Sequence, residues 1–528
     1  MTAPTPGPPN DLRPELVFGL VGPVGADLHL VGAELTEALR RVNYKAVKIR
    51  VSRLMCELRE EPWKSLPEEG PADESLRLYM DAGNRLREAV GRADALALLA
   101  IGAIREQREL EPKPPNGRAR GVAFILHSLK TPEEVRTLKR IYGPTFFLGS
   151  AYAPRQRRVQ NLTRRIADSR FSQRAGDFIG SAEELIKRDE AEAEAGKEYG
   201  QNVLETFPLA DVIVNTSNQE SLRASLIRFV ELIFGNAFHT PSKDEQGIDL
   251  AFRAALRSAS LARQVGAAIC REDGSIVSVG TNEVPKPGGG LYWVGDENDA
   301  RDFHGVRDSS HNMREKILAD IIDRLHKADW LTAARKAASV RDLVEECLSE
   351  GDPPVMKGAV FLATIDYIRA VHAEMAALMD AARHGLRTAG ATLYTTTFPC
   401  HDCAKHIIAA GVKRVVYVEP YPKSLVQDFY QDSVLVDSEE RCGPKVQFEP
   451  FVGVGPRRYG DLFQLGDKKR KHPDGTVAAW RGTEAHPHLA EYVPSSATRL
   501  STEREEFNRF RQQMIEKGLA KELEKEKR

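Results

Sequence analysis

Residues 391–420 read ATLYTTTFPCHDCAKHIIAAGVKRVVYVEP. ATLYTTT is rich in β-branched and aromatic residues and predicts a strand. HDCAKHIIAAG predicts a helix ending on glycine, and RVVYVEP predicts a second strand. Upstream, VGAAICREDGSIVSVGTNEVP, from Val265, predicts two strands about a turn at Asp273-Gly274. The helix DLAFRAALRSASLARQ, from Asp249, leads into them, and VHAEMAALMD, from Val371, starts another. Two strands followed by helix–strand units make an α/β layer structure.

The chain has six cysteines and places two, Cys400 and Cys403, on one turn at a helix start. The helix dipole there favours thiolate, and Pro399 helps to set the turn. With His372 they make one imidazole and two thiolates, a donor set that Zn2+ takes readily. Three protein ligands leave a fourth position for water, which zinc brings close to neutrality in pKa. Glu374, two residues from His372, would fill that water site if it ligated. It can instead take the water's proton and pass it to a leaving amine. Taken alone, Cys-x-x-Cys also reads as a redox pair or half a zinc knuckle. His-x-Glu followed by Pro-Cys-x-x-Cys resembles the signature of the zinc nucleobase deaminases.

A chain of 528 residues exceeds what one core usually serves, so two or more domains are expected. Hydrophobic residues make up 41% and charged residues 29%, the balance of a soluble globular protein. A net charge of -1 gives no global reason to expect nucleic acid or membrane as partner. No apolar run approaches the roughly 20 residues that cross a bilayer. The start, MTAPTPGPPNDLRPE, has no apolar core and is not a secretory signal. Six cysteines in so long a chain make no disulfide framework, which points to the cytoplasm.

Near the N-terminus, ELVFGLVG (15–22) predicts a buried strand. A Gly-rich turn follows, then a helix with Leu28, Val31, Leu35 and Leu39 on one side, then the strand KAVKIRVS. This is the opening of a doubly wound α/β domain. Gly22, Gly25, Ala26 and Asp27 are candidate nucleotide-binding residues, because such a turn offers N–H groups and a dipole to phosphate. The phosphate-loop Lys is missing, however, and Asp27 puts a negative charge where phosphate would sit. A tight strand-to-helix turn is the other reading. Further strands are expected at ALALLAIG near Ala95, GVAFILHSL near Gly121, TFFLGSAY near Thr145 and ADVIVNTS near Ala210. TPEEVRTLKRIYG predicts a helix capped by Thr131 with Glu134 three residues on. The run with Arg155, Arg157, Arg158, Arg164 and Arg165 reads as a solvated helix face or as a lid that clamps phosphates. KRDEAEAEAGKEYGQN predicts a charged, exposed helix.

The order GLVGPVGADL, HSLKTPEEVRTLKRIYGPTFFLGSAYAPRQRR and ETFPLADVIVN resembles the P-loop nucleotide-kinase-like front half of bacterial antiphage deoxycytidylate deaminases. TTFPCHDCAKHIIAAGVKRVVYVEPYPKS, ARQVGAAICREDGSIVSVGTNEVP and FVGVGPRRYGDLF resemble the rest of that family. The resemblance implies an α/β chain with an N-terminal P-loop-like doubly wound parallel sheet plus a C-terminal cytidine-deaminase-like α/β/α layer domain. It implies zinc-dependent hydrolysis of dCTP and dCMP to dUTP and dUMP, depleting dCTP as antiphage defence. It would put Asn282 on the deoxyribose, Arg263 and Gln264 near the phosphate, and Ala373, Thr397 and Phe398 around the base. It also implies a homo-oligomer, an allosteric nucleotide, and a regulatory RNA or phage-derived trigger. Ala376 stands where many members of the family have Asn, which loosens the substrate but not the chemistry. Three other readings stand beside it. A nucleotide-sensing regulatory protein is opposed by the intact Glu374. A nucleic-acid editing deaminase is opposed by the near-neutral charge. A nucleotide kinase is opposed by the missing Lys.

The expected domains are a disordered N-terminus at 1–14, the kinase-like regulatory domain at 15–235, the deaminase domain at 236–470 and a polar tail with a charged helix at 471–528. The deaminase domain carries an insertion at 283–368, read as a long Gly- and Asp-rich loop with Tyr292, Trp293, His304 and His311. Its aromatics would cover a nucleotide and its acids hold Mg2+ on a triphosphate, or it would serve packing or an oligomer contact. His304 and His311 read as surface residues. His401 and His406 flank the site, with His406 on the helix exterior. Cys56, Cys270 and Cys347 read as small apolar residues, and Cys442 lies on a turn. The last helix has an apolar edge of Phe507, Phe510, Met514, Leu519 and Leu523. It would pack on a neighbouring subunit or be solvated.

Overall fold

The structure is a computed structural model that describes residues 13–58, 60–110, 121–192, 199–305, 307–349, 354–365, 367–421, 424–438, 443–489 and 496–519. Residues 1–12 of the N-terminal segment, 193–198 of the charged stretch, Cys442 and Leu523 lie outside the described residues. Two compact units make up the chain: Met1–Gln246 with Asp437–Glu439 and Pro450–Arg528, and Gly247–Val436 with Glu440–Glu449.

In the first unit, β1 (Leu16–Val21), β2 (Lys45–Arg50), β3 (Val122–Leu129), β4 (Phe146–Tyr152) and β5 (Val212–Asn215) form a parallel sheet in the order β5-β4-β1-β3-β2. Every residue of β1 is buried, as a central strand without polar side chains must be. Leu28, Val31, Leu35 and Leu39 of helix Leu28–Arg40 join Leu222, Leu226 and Phe229 of helix Gln219–Ile233 in one core. Asp27 caps the first of these helices by accepting the Leu30 N–H at 2.9 Å. Thr131 and Glu134 form the full reciprocal capping box of helix Pro132–Tyr142.

Three expectations are corrected in this unit. ALALLAIG belongs to helix Ala95–Leu110, not to a strand. A short apolar run fits a buried strand or a buried helix equally well, and Ala and Leu are strong helix formers. The strand Gly453–Val454, within FVGVGPRRYGDLF, pairs antiparallel with β5. The compact unit around Cys400 therefore ends near 449, not at 470. The last helix, Ser496–Glu516, covers its apolar edge within its own unit. Phe510 and Met514 are buried, Phe507 packs against Gly102, and Arg108 joins Glu15 and the buried Glu503 at 2.8 Å each.

The second unit holds β6 (Gly266–Cys270), β7 (Ile276–Thr281), β8 (Thr392–Thr397), β9 (Arg414–Glu419), β10 (Val434–Val436) and β11 (Val446–Pro450) in the order β10-β11-β9-β8-β6-β7. The β6–β7 pair is the expected hairpin, and β8 runs parallel to β9 through helix His401–Ala409. Helix Ala373–Arg383 lies flush on β7 because residue 280 is glycine. A Cβ there would stand 2.2 Å from the Ala373 carbonyl and 2.4 Å from the Ala377 nitrogen. The neighbouring Ser278 hydroxyl donates to the Ala377 carbonyl at 2.8 Å.

The insertion is more helical than expected. Helices Ser309–Lys327 and Val340–Ser349 bury Leu318, Ile322, Leu343 and Val344 in a small core of their own. Tyr292 is buried, and exposed Trp293 lies beneath the Arg257 guanidinium at 3.5 Å. His304 and His311 sit at the surface beside Asp299 and Glu315, each at 3.2 Å. Cys270 is buried, and Cys56 meets the Tyr79 hydroxyl at 3.2 Å. No helix among the described residues is long and apolar enough to cross a membrane.

Candidate active site

Two helix starts converge in the second unit. His372 is the N-cap residue of helix Ala373–Arg383, and Cys400 is the N-cap of helix His401–Ala409. Cys403, one turn on, donates its backbone N–H to the Cys400 sulfur at 3.4 Å. His372 Nδ1 stands 3.3 Å from the sulfur of Cys400 and 3.3 Å from that of Cys403. Glu374, in the first turn of its helix, places Oε2 3.5 Å from the Cys403 sulfur. Cys400, Cys403 and Glu374 are all buried.

The electrostatics are those of a site built around positive charge. Hydrogen bonding to Cys403, and then to His372, holds the Cys400 thiol well below its usual range. The Cys403 thiol is pushed up by the same contact with Cys400 and by burial. His372 is raised by its hydrogen bond to Cys400. Glu374 is raised by burial, and further by the charge on Cys400. One nitrogen and two sulfurs within 4.8 Å of one another could hold a metal ion. A tetrahedral zinc holds such N and S atoms about 3.6 Å apart, so the observed spacing fits with little adjustment. The cation would relieve the thiol crowding by taking both sulfurs as thiolates.

The other expected site residues lie in the same unit. Thr397 and Phe398 end β8: the Thr397 hydroxyl donates to Glu419 at 3.4 Å, and the Phe398 ring packs edge-on to Tyr417. Ala373 is fully buried at the helix start. Asn282 is engaged with backbone, donating to the Arg263 carbonyl and accepting the Val265 N–H, both at 2.8 Å. It fixes the loop that presents Arg263, whose guanidinium lies over the Tyr421 ring at 5.5 Å and 3.8 Å from Glu419. Gln264 turns back to the Ser258 carbonyl at 2.8 Å. Glu419 and Tyr421 were not singled out from sequence. Their place directly after β9, opposite the end of β8, was the available signal.

The N-terminal candidates lie in the first unit, on a wall of a cavity of about 790 Å3. Gly25 has φ +94, and a Cβ there would meet the Arg158 carbonyl at 2.6 Å. The buried Asp189 carboxylate accepts the Val24 N–H at 2.7 Å and pairs with Lys130 at 2.7 Å. An internal carboxylate thus occupies the turn where phosphate was expected. The basic helix divides in role: Arg158 is buried against Glu190, Arg155 and Arg164 are exposed, and Arg165 lines the cavity.

Residues 241–419 match the family model described as the cytidine and deoxycytidylate deaminase zinc-binding region. This range includes His372, Glu374, Cys400 and Cys403. The deoxycytidylate deaminase of Enterobacteria phage T4 is 38% identical over 99 residues, 18% of this chain and 51% of that protein. That of Enterobacteria phage T2 is 50% identical over 54 residues, 10% of this chain and 29% of that protein. ComE operon protein 2 of Bacillus subtilis (strain 168) is 38% identical over 85 residues, 14% of this chain and 45% of that protein. The chain thus spans about half, or less, of the length of these relatives. A crystal structure of dCMP deaminase from the cyanophage S-TIM5, in complex with dCMP and dUMP, aligns at 20% identity. It covers 40% of this chain and 99% of that one with a TM-score of 0.22, too low to bear on the fold.

Proposed function

We propose that the chain is a zinc-dependent hydrolytic deaminase of deoxycytidine nucleotides. The convergence of His372, Cys400, Cys403 and Glu374 within a stretch that matches the deaminase zinc-binding region carries this reading. Zinc held by the three ligands supplies a Lewis acid and water activated near neutral pH. The protein's own groups do the rest. Burial raises Glu374 toward the working range of an acid–base group. Its carboxylate relays the two protons of water, one to ring N3 of the base and one to the departing amine. One C–O bond forms at the cytosine C4, one C–N bond breaks, and ammonia leaves. Phe398 and Thr397 frame the base beside the sulfurs. Asn282 keeps the Arg263 loop in place, and Arg263 at the lip meets phosphate in exchange for Glu419.

The substrates are dCTP and dCMP, giving dUTP and dUMP. The names of the phage relatives support the deoxycytidylate. The resemblance of the first 235 residues to antiphage deaminases supports dCTP and a role in depleting the dCTP pool during phage infection. Ammonia release from dCTP, dCMP, dCDP, deoxycytidine and CTP, measured on protein with about one zinc per chain, tests the reading. Release from dCTP or dCMP well above that from CTP is expected. Silence on every free nucleotide, together with deamination of single-stranded DNA or RNA, would replace it with the editing reading.

A further inference from the structure

Glu283 has no part in the site as described, yet it is buried and both of its carboxylate oxygens are engaged. It follows Asn282 just past β7, where the chain enters the insertion. One oxygen accepts the Val284 N–H at 2.9 Å, a bond within its own turn. The other accepts the Ala259 N–H at 3.1 Å, 24 residues back along the chain. A buried carboxylate is costly unless such donors meet it. The charge of Glu283 also acts on the guanidinium groups of Arg257 and Arg301. The backbone of Glu283 reaches elsewhere. Its N–H donates to the Val371 carbonyl at 3.2 Å, and the Val371 N–H donates to the Glu283 carbonyl at 3.0 Å. Val371 is the residue before His372. A single residue thus meets the start of helix Ala373–Arg383 with its backbone and the loop ahead of β6 with its side chain.

That loop carries Arg263. Leu261, Ala262, Arg263 and Gln264 are exposed in a row, so the loop depends on what holds its two ends. At the far end, the Asn282 amide holds the Arg263 carbonyl and the Val265 N–H, both at 2.8 Å. At the near end, Glu283 holds Ala259, and the Ser258 hydroxyl donates to the Asn282 carbonyl at 2.8 Å. Two adjacent residues therefore clamp the loop at both ends, and the second of them also fixes the chain beside His372. A nucleotide keeps its phosphate and its base at a separation set by the covalent frame between them. A group that meets the phosphate must therefore hold its place relative to the metal centre, and misplacement of positioning groups is costly.

We propose that Glu283 is a positioning residue: it sets the place of Arg263 relative to His372, and through Arg263 it governs how tightly the substrate phosphate is held. The inference rests on the deaminase reading above, in which Arg263 meets that phosphate. The test measures KM and kcat for ammonia release from dCMP, or from dCTP where dCMP is not turned over, beside zinc per chain and melting temperature. Wild type, Glu283→Ala, Arg263→Ala and the double variant are compared. Glu283→Ala should raise KM by about tenfold, the scale of a lost hydrogen bond to a charged group, with kcat within about twofold and zinc retained. Arg263→Ala should raise KM at least as much, and the double variant should be no worse than Arg263→Ala alone. Glu283→Gln keeps one acceptor oxygen and should fall between wild type and Glu283→Ala. It is the variant to read where the alanine form does not fold. Additive effects in the double variant overturn the proposal. So does a wild-type KM in folded Glu283→Ala, or in Glu283→Gln where that form is the one read. Loss of zinc and kcat at unchanged KM overturns it too, because a merely structural residue behaves that way. A wild-type protein that releases no ammonia from dCMP or dCTP fails the deaminase reading itself and this inference with it, whereas additivity fails the inference alone.

Discussion

Replacing Gly280 by alanine drives a methyl group into the backbone of the helix that carries His372 and Glu374. The new Cβ would lie 2.2 Å from the Ala373 carbonyl oxygen and 2.4 Å from the Ala377 nitrogen. Those distances fall short of ordinary contact by about 1 Å. Both atoms are backbone, so no flexible side chain can yield, and the helix must lift from β7. His372 and Glu374 then move relative to Cys400 and Cys403, which sit on a different helix. Overpacking of this kind costs about 1–3 kcal/mol of stability. Misplacing catalytic groups by about 1 Å costs about a hundredfold in rate. Gly280→Ala should therefore lower kcat for ammonia release by about that factor, with reduced zinc per chain and a lower melting temperature. Gly180→Ala, at a helical position with open space around it, is the control and should be neutral or slightly stabilising. Wild-type kcat and zinc content in Gly280→Ala would refute the claim that flush packing on β7 sets the geometry.

Phe510→Ala empties a fully buried site beneath the last helix, and the first unit should lose about 3–5 kcal/mol in chemical denaturation. Loss below about 1 kcal/mol would mean that the helix is not docked. Cys403→Ser should drop zinc from about one per chain to well below that by elemental analysis, because it removes one of three ligands. His127 is depressed to about 4 by burial first and by His29 next. Its folded value thus lies below the unfolded one, and its contribution is complete above about pH 6.5 and falls as the pH drops toward 4. The loss is at most about 3 kcal/mol. His127→Asn should flatten the acid side of the stability profile, read as melting temperature between pH 7 and 5.

The centre in the second unit was legible because its chemistry is local. His372 and Glu374 share one helix start, and Cys400 and Cys403 share another, so two short motifs carry four residues. The strands β1, β3 and β4 were legible because each is a short, mostly apolar run with aromatic residues, bounded by glycine or proline. Ala95–Leu110 was not, since an Ala/Leu run carries no periodicity that separates a buried helix from a buried strand. Asp27 looked like a defect in a phosphate turn, and its capping role appears only with the Leu30 contact. Asp189 lies 165 residues from Val24, and no local pattern announces a carboxylate that will fold into that turn. The same holds for Arg50, His127 and Arg165, which come from three separate elements and meet only in the cavity.

The most direct test of the account replaces Glu374 by alanine and measures zinc per chain beside ammonia release from dCTP and dCMP. Zinc should stay at about one per chain, because Glu374 is not among the three ligands. Turnover should fall by at least about a hundredfold, the scale of a lost acid–base group. Turnover within a few fold of wild type, with zinc still bound, would contradict the role of Glu374 and the hydrolytic mechanism built on it.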